Sequence, residues 1–95
     1  MARDRLTVLR AILDAGAVPA FVPLDAAAAR RVVFACAEAG APVIEVTNRA
    51  AGTVALFRDL VAWAAQAHPE VVLGMRTVIE APTAALFIDA GAEFW

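Results

Sequence analysis

The stretch Pro42-Val-Ile-Glu-Val-Thr-Asn-Arg49 holds the residue types best suited to chemistry. In an extended strand the side chains alternate, so Val43, Glu45, Thr47 and Arg49 share one side and Ile44, Val46 and Asn48 the other. A carboxylate inside an apolar strand is costly to bury unless it is paired or hydrogen-bonded. Two readings of Glu45 therefore stand. The structural one is a buried ion pair with Arg49, or an edge strand with a wet face. The functional one is a proton-transfer carboxylate at the C-terminal ends of the strands, where α/β active sites form. A second stretch, Gly74-Met-Arg-Thr-Val78, has a glycine that permits close backbone approach. The Thr77 hydroxyl just beyond it is suited to a ligand oxygen, although both residues are also ordinary in strand–helix loops.

Other reactive types read as structural. His68 sits where a helix should end, and a cation there interacts well with the helix dipole. Cys36 is the only cysteine and falls on an apolar helix face. One His and one Cys cannot form a classical zinc site, so no metal and no cofactor are expected. Trp63 and Trp95 read as packing residues, and Arg30-Arg31 as a solvated helix edge. No glycine-rich phosphate loop is present.

The elements that must position Glu45 and Thr77 follow from periodicity. Three similar phrases, Asp14-Ala-Gly-Ala17, Glu38-Ala-Gly-Ala41 and Asp89-Ala-Gly-Ala92, each follow an amphipathic segment and precede an apolar one. Glycine there is the usual helix stop, and Ala67-His68-Pro69-Glu70 uses proline instead. A leading helix is predicted over 3–15, with Leu6, Leu9, Ile12 and Leu13 on its core face. Strands are predicted near 18–22, 43–48, 71–75 and 93–95. Asp25 caps a helix to residue 39 with Val33, Cys36 and Ala37 inward. A third helix covers 53–67 with Val54, Phe57, Val61 and Ala64 inward, and Pro82 opens a fourth ending near residue 90. Strict alternation of strand and helix gives an α/β fold with parallel strands. An open doubly wound sheet and a (β/α)8 barrel both fit this pattern.

Composition narrows the class. Of 95 residues, 62% are hydrophobic and 19% charged, with a mean hydropathy of +0.71. A chain of this size buries only about two-thirds of its unfolded surface, so the apolar content exceeds what a small independent domain hides. A membrane does not explain the excess, because no uncharged run approaches the roughly 20 residues of a spanning helix. Charged residues also interrupt the N-terminus, against a secretory signal, and a cytoplasmic location is expected. The net charge of -2 and pI near 5.2 lack the basic footprint of a nucleic-acid binder. All eight basic residues are arginine.

Taken together, Glu45-Val-Thr-Asn-Arg49 and Gly74-x-x-Thr77-Val78 resemble the aldolases that cleave 2-keto-3-deoxy-6-phosphogluconate or 4-hydroxy-2-oxoglutarate. The leading helix, Val18-Pro19, and Asp89-Ala-Gly-Ala-Glu-Phe94 match as well. The resemblance covers essentially the whole chain and corresponds to about the N-terminal half of a family member, a TIM barrel of roughly 200 residues. It implies a leading helix and about three and a half βα units within residues 1–95, breaking off in the fourth strand. The implied activity is that of a class I aldehyde-lyase, giving pyruvate plus glyceraldehyde 3-phosphate or glyoxylate. Glu45 matches the general acid/base, Arg49 the residue holding the pyruvyl carboxylate, and Thr77 a second contact to that region. A homotrimer of the full-length protein is also implied.

The chain departs from the family in places. Asn48 stands where many members have Leu, and Met75-Arg76 replaces a small pair. Val22-Pro23 occupies a place where some members carry a phosphate-binding Arg. Arg76, of opposite strand parity to Thr77, is expected toward the surrounding helices or a loop, or as a modifier of substrate preference. The Schiff-base lysine has no counterpart, because the chain has no lysine. That chemistry needs a deprotonated primary amine, so these 95 residues alone are expected to be inactive. The reading frame is expected to continue past Trp95 into about four further strands that bring the lysine. The alternative is a non-catalytic half-barrel that self-associates or serves as a binding module. Another phosphosugar barrel is a third reading, which Glu45-x-x-x-Arg49 argues against.

Overall fold

A computed structural model describes residues 3–49 and 51–95. Their order is α1 (Arg5–Ala15), β1 (Ala20–Phe21), α2 (Ala26–Glu38), β2 (Val43–Thr47), α3 (Thr53–Ala67), β3 (Val72–Arg76) and α4 (Ala81–Ala90). The helices begin and end where local chemistry directs. The Asp4 carboxylate accepts from the Thr7 N–H at 2.8 Å, and the Asp25 carboxylate from the Ala28 N–H at 2.7 Å. Gly16, Gly40 and Gly91, one in each repeated phrase, lie at φ 74°, 80° and 109°, where a Cβ is disfavoured. His68 ends α3 immediately before Pro69, and Pro82 lies in the first turn of α4. No helix among the described residues is long and apolar enough to cross a membrane.

The three strands are parallel in the order β1-β2-β3. Ala20 pairs with Glu45 and Phe21 with Val46; Glu45 pairs with Gly74 and Thr47 with Arg76. One face of the sheet meets α2, α3 and α4. There Ile44, Val46, Leu73 and Met75 pack with Ala29, Val33, Phe57, Leu60, Ala64 and Phe87. Phe57 and Phe87 meet edge to face with centroids 5.9 Å apart; each fully buried ring contributes about 1.5–3 kcal/mol. On the opposite face α1 covers only the N-terminal ends of the strands, where Val8 packs with Val43 and Val72.

Four details depart from the expectations. Glu93-Phe94-Trp95 is not a strand, yet the segment runs beside β3: the Glu93 N–H donates to the Leu73 carbonyl and the Met75 N–H to the Phe94 carbonyl, both at 3.0 Å. These two bonds are too short a run for a strand. The core face of α1 is also rotated from the expected one. Val8, Ala11, Ile12 and Ala15 face the sheet, while Leu6, Leu9 and Leu13 are 76%, 52% and 76% exposed. Small residues let the helix approach the sheet closely, which leaves the leucines outside. Trp95 is 62% exposed rather than packed, whereas Trp63 packs against the core. Finally, Arg30 is not merely solvated: it pairs with Asp59 at 3.0 Å and its guanidinium lies 5.5 Å from the Trp63 ring centroid.

Candidate functional site

Glu45 lies at the middle of β2, half-buried, on the sheet face opposite α2–α4. Its row runs Ala20–Glu45–Gly74 across the three strands. Both structural readings of this carboxylate fail. β2 is the central strand, not an edge. The ion pairs among the described residues are Arg3–Glu93, Arg30–Asp59, Arg58–Asp89 and His68–Glu70, so none joins Glu45 to Arg49. Glu45 is half-buried and takes part in none of these ion pairs.

The next row toward the C-terminal ends is Thr47–Arg76, about 6.6 Å further along the strands at the usual rise. Thr47 is 4% exposed and Arg76 is exposed. Arg76 therefore belongs to the Glu45 side of the sheet, not to the helix side. The alternation Val72, Gly74, Arg76 contains this signal, and Thr77 lies beyond the strand where parity no longer applies. Arg49 follows two residues after β2, exposed at the same end of the sheet.

Thr77 is the only non-glycine residue at positive φ among those described, at 64°. A β-branched residue in this region is an outlier, and such strain clusters at functional sites. The surrounding hydrogen bonds fix it. The Asn48 N–H donates to the Arg76 carbonyl at 3.0 Å, and the Asn48 side-chain amide to the Thr77 carbonyl at 3.4 Å. Asn48, noted in the sequence only as a departure, thus ties the end of β2 to the turn after β3.

Gly74 does allow a close approach, but by a protein group. A Cβ at Gly74 would lie 2.5 Å from Phe94 Cε1 and Cζ. The Phe94 ring packs with Val8, Val43 and Val72, so it floors the Glu45 face next to α1.

The larger hollows lie elsewhere. A groove of about 420 Å³ is lined by Val61, Ala65, Leu73, Arg3 and Glu93, and one of about 540 Å³ by Ile79, Ala84, Ile88 and Trp95. Neither includes Glu45, Arg49 or Thr77. In the first the charges are spent on each other, Arg3 Nη1 to Glu93 Oε1 at 2.6 Å; the second is mainly apolar. No group of three or more His, Cys, Asp or Glu side chains suited to a metal occurs among the described residues. The His68 ring is held edge-on by Phe34 and Trp63, with centroids at 5.7 Å and 5.3 Å, and Cys36 packs against the core.

The arrangement can bind a small anion through Arg49 and Arg76 and move a proton at Glu45. It offers no amine nucleophile on a side chain. Comparison with protein-family models and with curated proteins finds no match to this chain. The helices that follow the strands, α2, α3 and α4, all pack on one side of the parallel sheet, so the chain is an α/β protein with four helices and three strands among the described residues.

Proposed function

We propose that the chain forms the first three and a half βα units of a (β/α)8 barrel of the class I aldolase type. In this reading Glu45, Arg49 and Thr77 take the roles that the family resemblance implies. The observation that carries it is Glu45: a half-buried carboxylate in the central strand that takes part in none of the ion pairs among the described residues, on the face opposite α2–α4. Sheet order supports the barrel over the doubly wound sheet. Residues 93–94 run beside β3, so the order continues 1-2-3 without the reversal that a doubly wound sheet needs. The half-covered α1 supports it too, since later strands of a barrel would take up Leu6, Leu9 and Leu13.

The substrate is a 2-keto acid that yields pyruvate and an aldehyde. Arg49 grips its carboxylate with a bidentate fork, Thr77 adds a hydroxyl contact, and Glu45 relays protons as the covalent intermediate forms and breaks. A lysine amine from a later strand supplies the nucleophile, so residues 1–95 alone bind without turning over. The reading carries with it a cytoplasmic location and a homotrimer of the complete protein.

Pyruvate titration of the isotopically labelled chain tests it. Amide signals of residues 46–49 and of Thr77 should shift, and Arg49→Ala should weaken binding about tenfold, the ordinary loss for an exposed charge-assisted contact. Binding that ignores Arg49 would refute the assignment. A second reading, a non-catalytic half-barrel that pairs with a second copy, rests on the exposed Leu6–Leu9–Leu13 stripe. It expects a dimer in sedimentation that Leu9→Glu dissociates.

A further inference from the structure

Asn48 joins the two residues that the aldolase reading sets against the substrate carboxylate, yet that reading gives it no role. It directly precedes Arg49 in the chain, and register brings it level with Thr77. Thr47 pairs with Arg76, and the residues that follow are Asn48 and Thr77. Two hydrogen bonds span the gap. The Asn48 N–H donates to the Arg76 carbonyl at 3.0 Å, and the side-chain amide to the Thr77 carbonyl at 3.4 Å. Both acceptors are backbone oxygens. The Thr77 hydroxyl is exposed and takes part in none of the side-chain hydrogen bonds among the described residues, and the exposed Arg49 takes part in none of the ion pairs. Thr77 needs such a tie. It lies at φ 64°, the only non-glycine residue at positive φ among those described, and a β-branched residue keeps that conformation only where its surroundings over-determine it.

We infer that Asn48 is a positioning residue: by holding the Thr77 turn in its left-handed conformation, it fixes the spacing between the Thr77 hydroxyl and the Arg49 guanidinium before a ligand arrives. The inference rests on the aldolase reading for the roles of Arg49 and Thr77 and adds the device that holds them in one geometry. The gain is preorganisation. A carboxylate gripped by Arg49 reaches the Thr77 hydroxyl only when the turn stands in one conformation. A turn that samples others must be ordered on binding, and the cost of that ordering is subtracted from affinity. The Asn48 amide donates to a backbone carbonyl, so it acts through Thr77 and not on the substrate. An apolar side chain of similar size keeps the backbone bond to Arg76 and removes the bond to Thr77.

The test is a pyruvate titration of the full chain by NMR at fixed ionic strength. Asn48→Leu, close in size but without the donor, and Asn48→Ala should each weaken binding about fivefold, the scale of one neutral hydrogen bond. A double-mutant cycle with Thr77→Ala separates positioning from a general loosening of the fold. That substitution removes the hydroxyl and leaves the carbonyl to which Asn48 donates. In the Thr77→Ala background, Asn48→Leu should change pyruvate affinity by less than about twofold. A full fivefold loss in that background, or no loss in the wild-type background, overturns the inference; if binding still depends on Arg49, the aldolase reading stands. A coupled effect of Asn48 and Thr77 on binding that ignores Arg49→Ala supports the positioning role and removes the aldolase reading. A wild type that binds no pyruvate overturns both.

Discussion

Gly74→Ala puts a methyl group where the Phe94 ring now lies. The added Cβ would sit 2.5 Å from two ring carbons and 2.6 Å from a third. Carbon atoms rest at about 3.5–4.0 Å, so the ring must retreat by about 1 Å. It cannot do so freely, because it packs with Val8, Val43 and Val72 under α1. Overpacking of this kind costs about 1–3 kcal/mol, while alanine recovers about 0.5–1 kcal/mol over glycine within a strand. The net expectation is a loss of about 1–2 kcal/mol, read as a lower urea midpoint by circular dichroism. In a Phe94→Ala background the clash is gone, and the same substitution should become neutral or stabilise by up to about 1 kcal/mol. The coupling between the two sites is then about 2 kcal/mol. An equal effect in both backgrounds would refute the reasoning and remove Phe94 from the floor of the site.

Other expectations bear on neighbouring features. Thr77→Gly should raise stability by about 0.5–1 kcal/mol, because a non-glycine residue in the left-handed region costs about 1–2 kcal/mol, and should weaken pyruvate binding; destabilisation would contradict the strain. The Thr7 N–H beside Asp4 holds that carboxyl below the ordinary aspartate value of 3.8. The cap therefore stabilises α1 at neutral pH and is lost as pH falls through and below 3.8. The Thr7 amide shift should titrate with a midpoint under that value and stop titrating in Asp4→Asn. Asn48→Ala should loosen the turn at Thr77, visible as faster amide exchange at Thr77 and Val78, with a stability loss under about 1 kcal/mol for a long, exposed hydrogen bond.

Much of the scaffold was legible because each boundary had a local cause. Asp25, Pro82 and the glycines of the three repeated phrases mark helix ends through their own backbone preferences, and α3 spans Thr53–Ala67 as its periodicity indicates. What the sequence hid depends on neighbours. Leu6-Leu9-Leu13 and Val8-Ala11-Ile12-Ala15 have the same helical spacing, and only docking shows that the smaller residues meet the sheet. Trp95 lies at the end of a segment that makes only two backbone bonds with β3, too short a run to form a strand. Glu45, in the middle of β2, and Arg49 and Thr77, just beyond β2 and β3, were readable as residue types. The strain at Thr77, its tie to Asn48, and the side taken by Arg76 emerge from register and turn geometry.

Borohydride reduction in the presence of labelled pyruvate tests the central claim most directly, with peptide mapping of the product. It is carried out on residues 1–95 and on the same chain joined to the later βα units that the barrel requires. The account predicts no internal adduct on residues 1–95, and a single lysine adduct on the longer chain that forms more slowly after Glu45→Gln. An internal adduct on the short chain would contradict it, as would a folded longer chain that traps no pyruvate.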